Sequence, residues 1–309
     1  MKEPFKKPDP LNPRLLKVSS ANTAYQRLDV LLRNRTKRHR YGEFVVEGVR
    51  AINSALAAGW TIRSFVYPRD RQLSRWAMSI LEASTADTHL EMAPELFETI
   101  SRKDEPSELV AVAAIKPDST DRIAVEPGML VVVVDRPASP GNLGTLIRSC
   151  DAFGVSGVIV TGHGVDLYDP ATVRASVGSF FSVPCVALPS HRELGEWVSD
   201  VRRALPGLTV AGTSARGSVE LRDHDWTGEV MLVVGNETAG LSHAYREMCD
   251  ALSGSRCVAR RRRSTLPWRR RSYCTRWTHS VGCVHPERSL RMTWPSGFGR
   301  CSPSAHQGR

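Results

Sequence analysis

No apolar run in this 309-residue chain approaches the ~20 residues a membrane span requires. The opening MKEPFKKPDPLNPR also lacks the apolar core of a secretory signal. A cytoplasmic protein is the reading that follows. Neither GxGxxG nor a P-loop pattern occurs, which counts against a nucleotide-binding transferase built on those glycine loops. Cys150, Cys185 and Cys249 stand alone without metal spacing and read as buried or free thiols in a reducing compartment. No metal is assigned: His163, Asp166 and Asp169 follow a strand closely and read as a loop. Acidic residues nearly vanish at the end of the chain. Ser253 to Arg309 hold 13 Arg, no Lys, no Asp and one Glu, Glu287. That tail carries +12 against a whole-chain net charge of +10, so the first 252 residues sum to −2. The basicity belongs to the tail and gives the body no nucleic-acid signature.

What the chain does have is 41% hydrophobic residues and a length that suits two globular domains. Two stretches dominate it. VVVVDRPASPGNLGTLIRSCDAFG, from Val131 to Gly154, and LVVGNETAGLS, from Leu232 to Ser242, each open on an apolar run of buried-strand type. Each then breaks into a glycine-containing loop where backbone amides can approach a ligand. Asn142 and Gly144 lead into a helix that carries Arg148, while Gly235, Asn236, Glu237 and Gly240 follow the second strand. An open α/β sheet builds a ligand crevice at its carboxyl edge in this way.

Both motifs, in this order and about 90 residues apart, are similar to motifs 1 and 2 of the SpoU (TrmH-type) RNA ribose 2′-O-methyltransferases of the SPOUT class. The resemblance runs from about Pro127 to Asp250 and more weakly back to Leu11. It implies a trefoil-knotted α/β domain, S-adenosylmethionine as cofactor, RNA as substrate (ribosomal favoured over transfer RNA) and a homodimer. It places Arg148, Asn142 and Glu237 in the catalytic centre and Gly212, Thr213, Gly235, Asn236, Gly240 and Leu241 along the cofactor. A guanidinium stays protonated, so Arg148 suits holding a phosphate and stabilising an alkoxide better than acting as a base. On the residues alone, Arg148 reads first as a helix-surface ion pair, Glu237 also as a helix N-terminal carboxylate, and the glycines alternatively as tight-turn residues.

Along the chain, residues 1–13 read as disordered and residues 14–115 as a small α/β domain resembling the RNA-binding domain of many SpoU enzymes. A helical pattern from Ser19 to Arg40 ends in Arg33, Arg35, Lys37, Arg38 and Arg40, expected to face RNA. Helices over Val49–Ala58 and Leu73–Ala83 and a strand over Ile62–Tyr67 follow, and a further strand ends at Ile115. KPDSTDRIAVEPG, residues 116–128, reads as a polar linker. Residues 129–252 alternate strands and helices, read over Met129–Val134, Leu143–Phe153, Gly157–Thr161, Ala171–Ser176 and Val183–Ala187. A helix over Arg192–Ala204 and strands over Thr209–Thr213 and Val230–Val234 follow, which argues a parallel sheet with helices on both faces.

The family's motif 3, IPMxGxxxSLNVSxAxxxxxYE, has no counterpart as the tail is written. Taking the last base of each codon from Leu252 with the first two of the next changes that. Ser253 to Val258 then permits Val-Arg-Ile-Pro-Met followed by Arg or Cys. A Gly, four small residues and LNVAVAAAVVLYE follow, in register with motif 3. The tail, residues 253–309, therefore reads as the product of a frameshift near Leu252. As written, the chain would lack the last cofactor loop, the helix that closes the knot and much of the dimer interface. The rival expectation is a catalytically inactive RNA-binding remnant.

Overall fold

The computed structural model describes residues 13–101, 107–214, 219–220 and 227–254. The disorder expected for 1–13 falls almost wholly outside these residues. Of the irregular tail expected over 253–309, only Ser253 and Gly254 fall within them, and both lie in a strand rather than irregular chain; the expected loss of the knot-closing helix concerns residues outside them.

The first domain runs β1 (Arg14–Val18), α1 (Thr23–Arg33), α2 (Arg35–Tyr41), β2 (Glu43–Glu47), α3 (Val49–Ala57), β3 (Ile62–Pro68), α4 (Arg75–Glu82), β4 (Thr88–Met92), α5 (Pro94–Ile100) and β5 (Val110–Ala114). Its five strands order as β1-β4-β3-β5-β2. The single helix expected up to Arg40 is two helices. Asn34 breaks it, with extended backbone (φ −124°, ψ 107°) and a side chain that accepts from the Lys37 N–H. Asparagine caps a new helix more readily than it continues an old one.

The second domain runs β6 (Leu130–Asp135), α6 (Pro140–Ala152), β7 (Gly157–Thr161), α7 (Pro170–Ala175), α8 (Ser179–Ser182), β8 (Cys185–Leu188), α9 (His191–Ala204), β9 (Thr209–Thr213), β10 (Val219–Glu220), β11 (Val230–Val234), α10 (His243–Met248) and β12 (Ala251–Gly254). All six pairings in its sheet, ordered β10-β12-β9-β11-β6-β7-β8, are parallel. Every residue of β6, β7 and β11 is buried, because helices cover both faces. Strand alternation divides β6 between them. Leu130, Val132 and Val134 join a core shared with α6, α7 and α8, and Val131 and Val133 a core shared with α9 and α10.

The first of these cores does not stop at the domain boundary. Phe44, Ile52, Trp60 and Phe65 from the first domain share it with Leu146, Tyr168, Phe180 and Phe181 from the second. Phe44, Trp60, Tyr168 and Phe180 pack with ring centroids 5.0–5.9 Å apart, the range in which aromatic edges and faces attract. The stretch expected as a polar linker is a packed strap across this seam. The Lys116 ammonium lies 4.3 Å over the Trp60 ring, Arg122 Nη1 donates to the Cys185 carbonyl at 2.9 Å, and Ile123 is buried.

Candidate active site

Adjacency of β6 to both β7 and β11 brings the two glycine loops together at the carboxyl edge of the sheet. β6 ends on Asp135, a buried carboxylate. Its oxygens accept from Arg136 Nε and Nη2 at 2.8 and 3.0 Å and from the Ser242 N–H at 3.0 Å. Arg136 has φ +49°, a left-handed conformation that side chains adopt reluctantly and that often marks functional sites. Helix α6 starts three residues earlier than Leu143, the expected first residue. Ser139 caps it, accepting from the Asn142 N–H, and Pro140 fills its first turn. Asn142 therefore sits in the first turn, facing the second loop.

That second loop closes on itself. Asn236 and Gly240 exchange backbone hydrogen bonds of 3.1 and 2.9 Å, and Asn236 Oδ1 accepts from the Thr238 and Ala239 N–H groups at 2.9 Å. Three bonds from its side chains tie it to the first loop. Asn236 Nδ2 donates to the Arg136 carbonyl at 2.7 Å. Glu237 accepts from the Ala138 N–H at 2.9 Å and, at 3.3 Å, from Asn142 Nδ2. The Glu237 carboxylate is thus spent on holding the loops together. Asn142, Asn236 and Glu237, chosen from sequence as neighbours, are neighbours.

The glycines divide by cause. A Cβ on Gly235 would stand 2.3 Å from the Leu241 nitrogen, and one on Gly212 would meet Cys249, Leu241 and Leu252 within 2.9 Å. Both are small because protein packs against them. Gly240 has φ +69° and, among the described residues, open space where a Cβ would stand, so those residues leave its backbone face uncovered. Thr213 is half-buried and its Oγ1 donates to the Val233 carbonyl at 3.3 Å, while Leu241 is buried beneath the loop. A glycine face open to solvent above a closed loop and beside the ends of β9 and β11 fits a small organic cofactor.

Arg148 stands four residues beyond Gly144 on the same side of α6. Gly144 lets α6 meet α7 at contact distance, since a Cβ there would lie 2.3 Å from the Thr172 carbonyl. Arg148 is exposed, and it makes no hydrogen bond or ion pair within the described residues. The surface-ion-pair alternative has no counterpart here.

The five basic residues expected to face RNA are not equivalent. Arg38 is 2% exposed, and its guanidinium donates to Asp166 at 2.7 Å, to the Leu31 carbonyl at 3.0 Å and to Asp169 at 3.5 Å. It is thereby withdrawn from the RNA-facing set. Arg35 Nη1 donates to the Gly164 carbonyl at 2.8 Å. Arg33 pairs with Asp29 at 2.6 Å, Lys37 lies 5.9 Å from the Tyr41 ring, and Arg40 is exposed. Sequence reasoning missed Asp135, Arg136 and Ser242 as a loop tie and Asp166 and Asp169 as partners of Arg38. An acid at the end of an all-apolar strand was the available signal for the first. Nothing local links residue 38 to 166.

Comparison with known proteins matches residues 129–254 to the SpoU rRNA Methylase family and residues 22–111 to the SpoU L30e-like domain. A 23S rRNA (uridine(2479)-2′-O)-methyltransferase of Streptomyces viridochromogenes is 44% identical over 239 residues, 77% of this chain and 83% of that protein. A 23S rRNA (guanosine(2553)-2′-O)-methyltransferase of Bacillus subtilis is 24% identical over 71% of this chain and 82% of its own length. The crystal structure of the SpoU methyltransferase AviRb from Streptomyces viridochromogenes with AdoMet superposes with a TM-score of 0.78 at 42% identity, covering 85% of this chain and 97% of that one. With two such domains in this order and this relative over most of its length, the chain belongs to the SpoU rRNA methylase family.

Proposed function

We propose that this protein is an S-adenosylmethionine-dependent RNA methyltransferase that modifies a ribose 2′-oxygen in ribosomal RNA. The observation that carries the reading is the junction of the two motif loops through Asn142 and Glu237, on the helix that presents an exposed Arg148 without a partner among the described residues. Methyl transfer needs a donor bed, a positioned hydroxyl and stabilisation of the charge that develops on its oxygen. Bound S-adenosylmethionine supplies the methyl group. Gly212, Thr213, Gly235, Asn236, Gly240 and Leu241 are assigned to its bed, with Gly240 offering the uncovered backbone face. Arg148, permanently charged, holds a phosphate beside the target ribose and stabilises the oxygen as its proton is lost to solvent. Asn142 and Glu237 keep that helix and the cofactor loop in register. Arg33, Lys37 and Arg40 form the RNA-facing basic group of the first domain, Lys37 and Arg40 sharing one side of α2.

Ribosomal RNA is favoured over transfer RNA because the 44% identical relative is named for 23S rRNA. Its target base does not carry over, because the two relatives methylate different nucleotides. A homodimer acting in the cytoplasm completes the reading, and among the described residues no helix is long and apolar enough to cross a membrane. The test is incorporation of labelled methyl into the 2′-oxygen of 23S rRNA transcripts. Transfer to a base nitrogen or carbon, or to no RNA, would overturn it.

A second reading follows from the frameshift, which one observation at Ser253, the first residue of the anomalous tail, supports. Its Oγ is buried with no hydrogen-bond partner, a costly arrangement in a sheet interior. The shifted frame permits valine there, which would remove the cost. Under this reading the chain as written is an RNA-binding remnant without motif 3. It retains RNA affinity but shows no calorimetric heat with S-adenosylmethionine, and restoring the frame restores both heat and activity.

A further inference from the structure

We propose that Arg38, with Arg35, is the positioning device that fixes the first domain against the catalytic loop, so that RNA held by one domain presents its ribose at a set distance from Arg148. The inference rests on the methyltransferase reading above. It starts from where the buried charges go. Arg38 on α2 reaches across the seam to Asp166 at 2.7 Å, and His39 Nε2 lies 2.9 Å from the other oxygen of that carboxylate. Arg35 reaches the Gly164 carbonyl at 2.8 Å. All of these contacts fall on one segment, residues 162–169, between β7 and α7.

That segment is pressed against the catalytic loop on its other side. A Cβ on Gly162 would stand 2.8 Å from Arg136 Cγ, and one on Gly164 would stand 2.7 Å from Pro137 Cδ. The Val165 N–H donates to the Pro137 carbonyl at 2.9 Å. Its far end feeds the catalytic helix. Asp169, the second partner of Arg38, accepts from the Ala171 N–H and so caps α7, and α7 abuts α6 at Gly144. Two routes therefore connect α2 to the chemistry, one through Pro137 to the first loop and one through α7 to the helix bearing Arg148. The aromatic seam supplies adhesion without direction. A guanidinium fork on fixed oxygens supplies direction, and a small misplacement of the domain-held ribose relative to Arg148 is enough to slow a reaction strongly.

The test compares two RNAs on the full chain with motif 3 in frame. One is a 23S rRNA transcript long enough to reach both domains, and the other is a minimal hairpin carrying only the modified nucleotide. Arg38→Lys keeps the charge and loses the fork, and Arg38→Met with Asp166→Asn removes both charges so that no ion is left buried alone. Both variants are expected to lose on the order of 10²-fold in kcat/KM on the long transcript, to keep hairpin turnover within about twofold, and to keep S-adenosylmethionine affinity. Hydrogen exchange should quicken in residues 162–176 and in α6. Equal losses on both RNAs, no loss on either, or unchanged exchange in those segments would overturn the proposal. If the in-frame chain without these substitutions methylates neither RNA, the methyltransferase reading fails by itself, and the exchange result still decides whether Arg38 ties α2 to α6.

Discussion

The seam between the domains and the carboxyl edge of the large sheet solve opposite problems with the same chain. The seam is side-chain matter, with four aromatic rings, a lysine over an indole and a buried arginine between two aspartates. The edge is backbone matter. Its loops are held by an asparagine, a glutamate and a buried aspartate that accept from main-chain N–H groups or donate to main-chain carbonyls. At the seam the charged groups named above are all engaged. At the edge Arg148 has no partner among the described residues and stands exposed. A fold can keep an arginine free for a substrate only if other residues carry the structure around it.

The comparison breaks first at the aromatic seam. Phe180 is 1% exposed and lies among Phe44, Trp60, Tyr168 and Phe181. Phe180→Ala should cost about 3–5 kcal/mol of stability, read as a lower urea midpoint in a single transition. Two separate transitions would show that the domains do not share a core. At the edge the effect is smaller and of another kind. Gly144→Ala forces a methyl to within 2.3 Å of the Thr172 carbonyl and should cost about 1–3 kcal/mol. It should lower turnover as well, because α6 carries Arg148. A fully active and equally stable variant would show that α6 and α7 do not meet this closely.

The smallest expected effect is electrostatic. Burial alone would raise the Asp166 carboxyl, but the hydrogen bond to His39 and the charge of Arg38 outweigh burial and hold it below the usual carboxylate range. A group whose folded value is depressed stabilises the fold above its unfolded value of about 3.9 and loses that contribution as pH falls through the folded value. Asp166→Asn combined with Arg38→Met, which leaves no ion buried alone, should therefore leave the melting temperature at neutral pH nearly unchanged and flatten its decline on the acid side of about pH 4. Parallel melting curves for both proteins across that range would contradict the buried pair.

The second domain was more legible in the sequence than the first. Gly157–Thr161, Thr209–Thr213 and Val230–Val234 match their expected bounds, since fully buried parallel strands are continuous apolar runs. β1 and β4 went unread because RLLKV and THLEM mix polar and apolar residues over only five positions. The loop junction was legible because its residues lie close together within two motifs. The strap and the Arg38 pairing were not, because a polar composition does not reveal whether its charges meet water or one another across 128 residues of chain.

The claim that Arg148 is the group left free for the RNA is tested most directly by Arg148→Ala, assayed for methyl transfer to 23S rRNA beside its melting curve. With motif 3 in frame, the account predicts a loss of 10²–10³-fold in turnover, of the order seen when one charge-stabilising donor is removed. Stability should shift by no more than about 0.5 kcal/mol, as for other exposed positions. Undiminished methylation, or a large loss of stability, would contradict it.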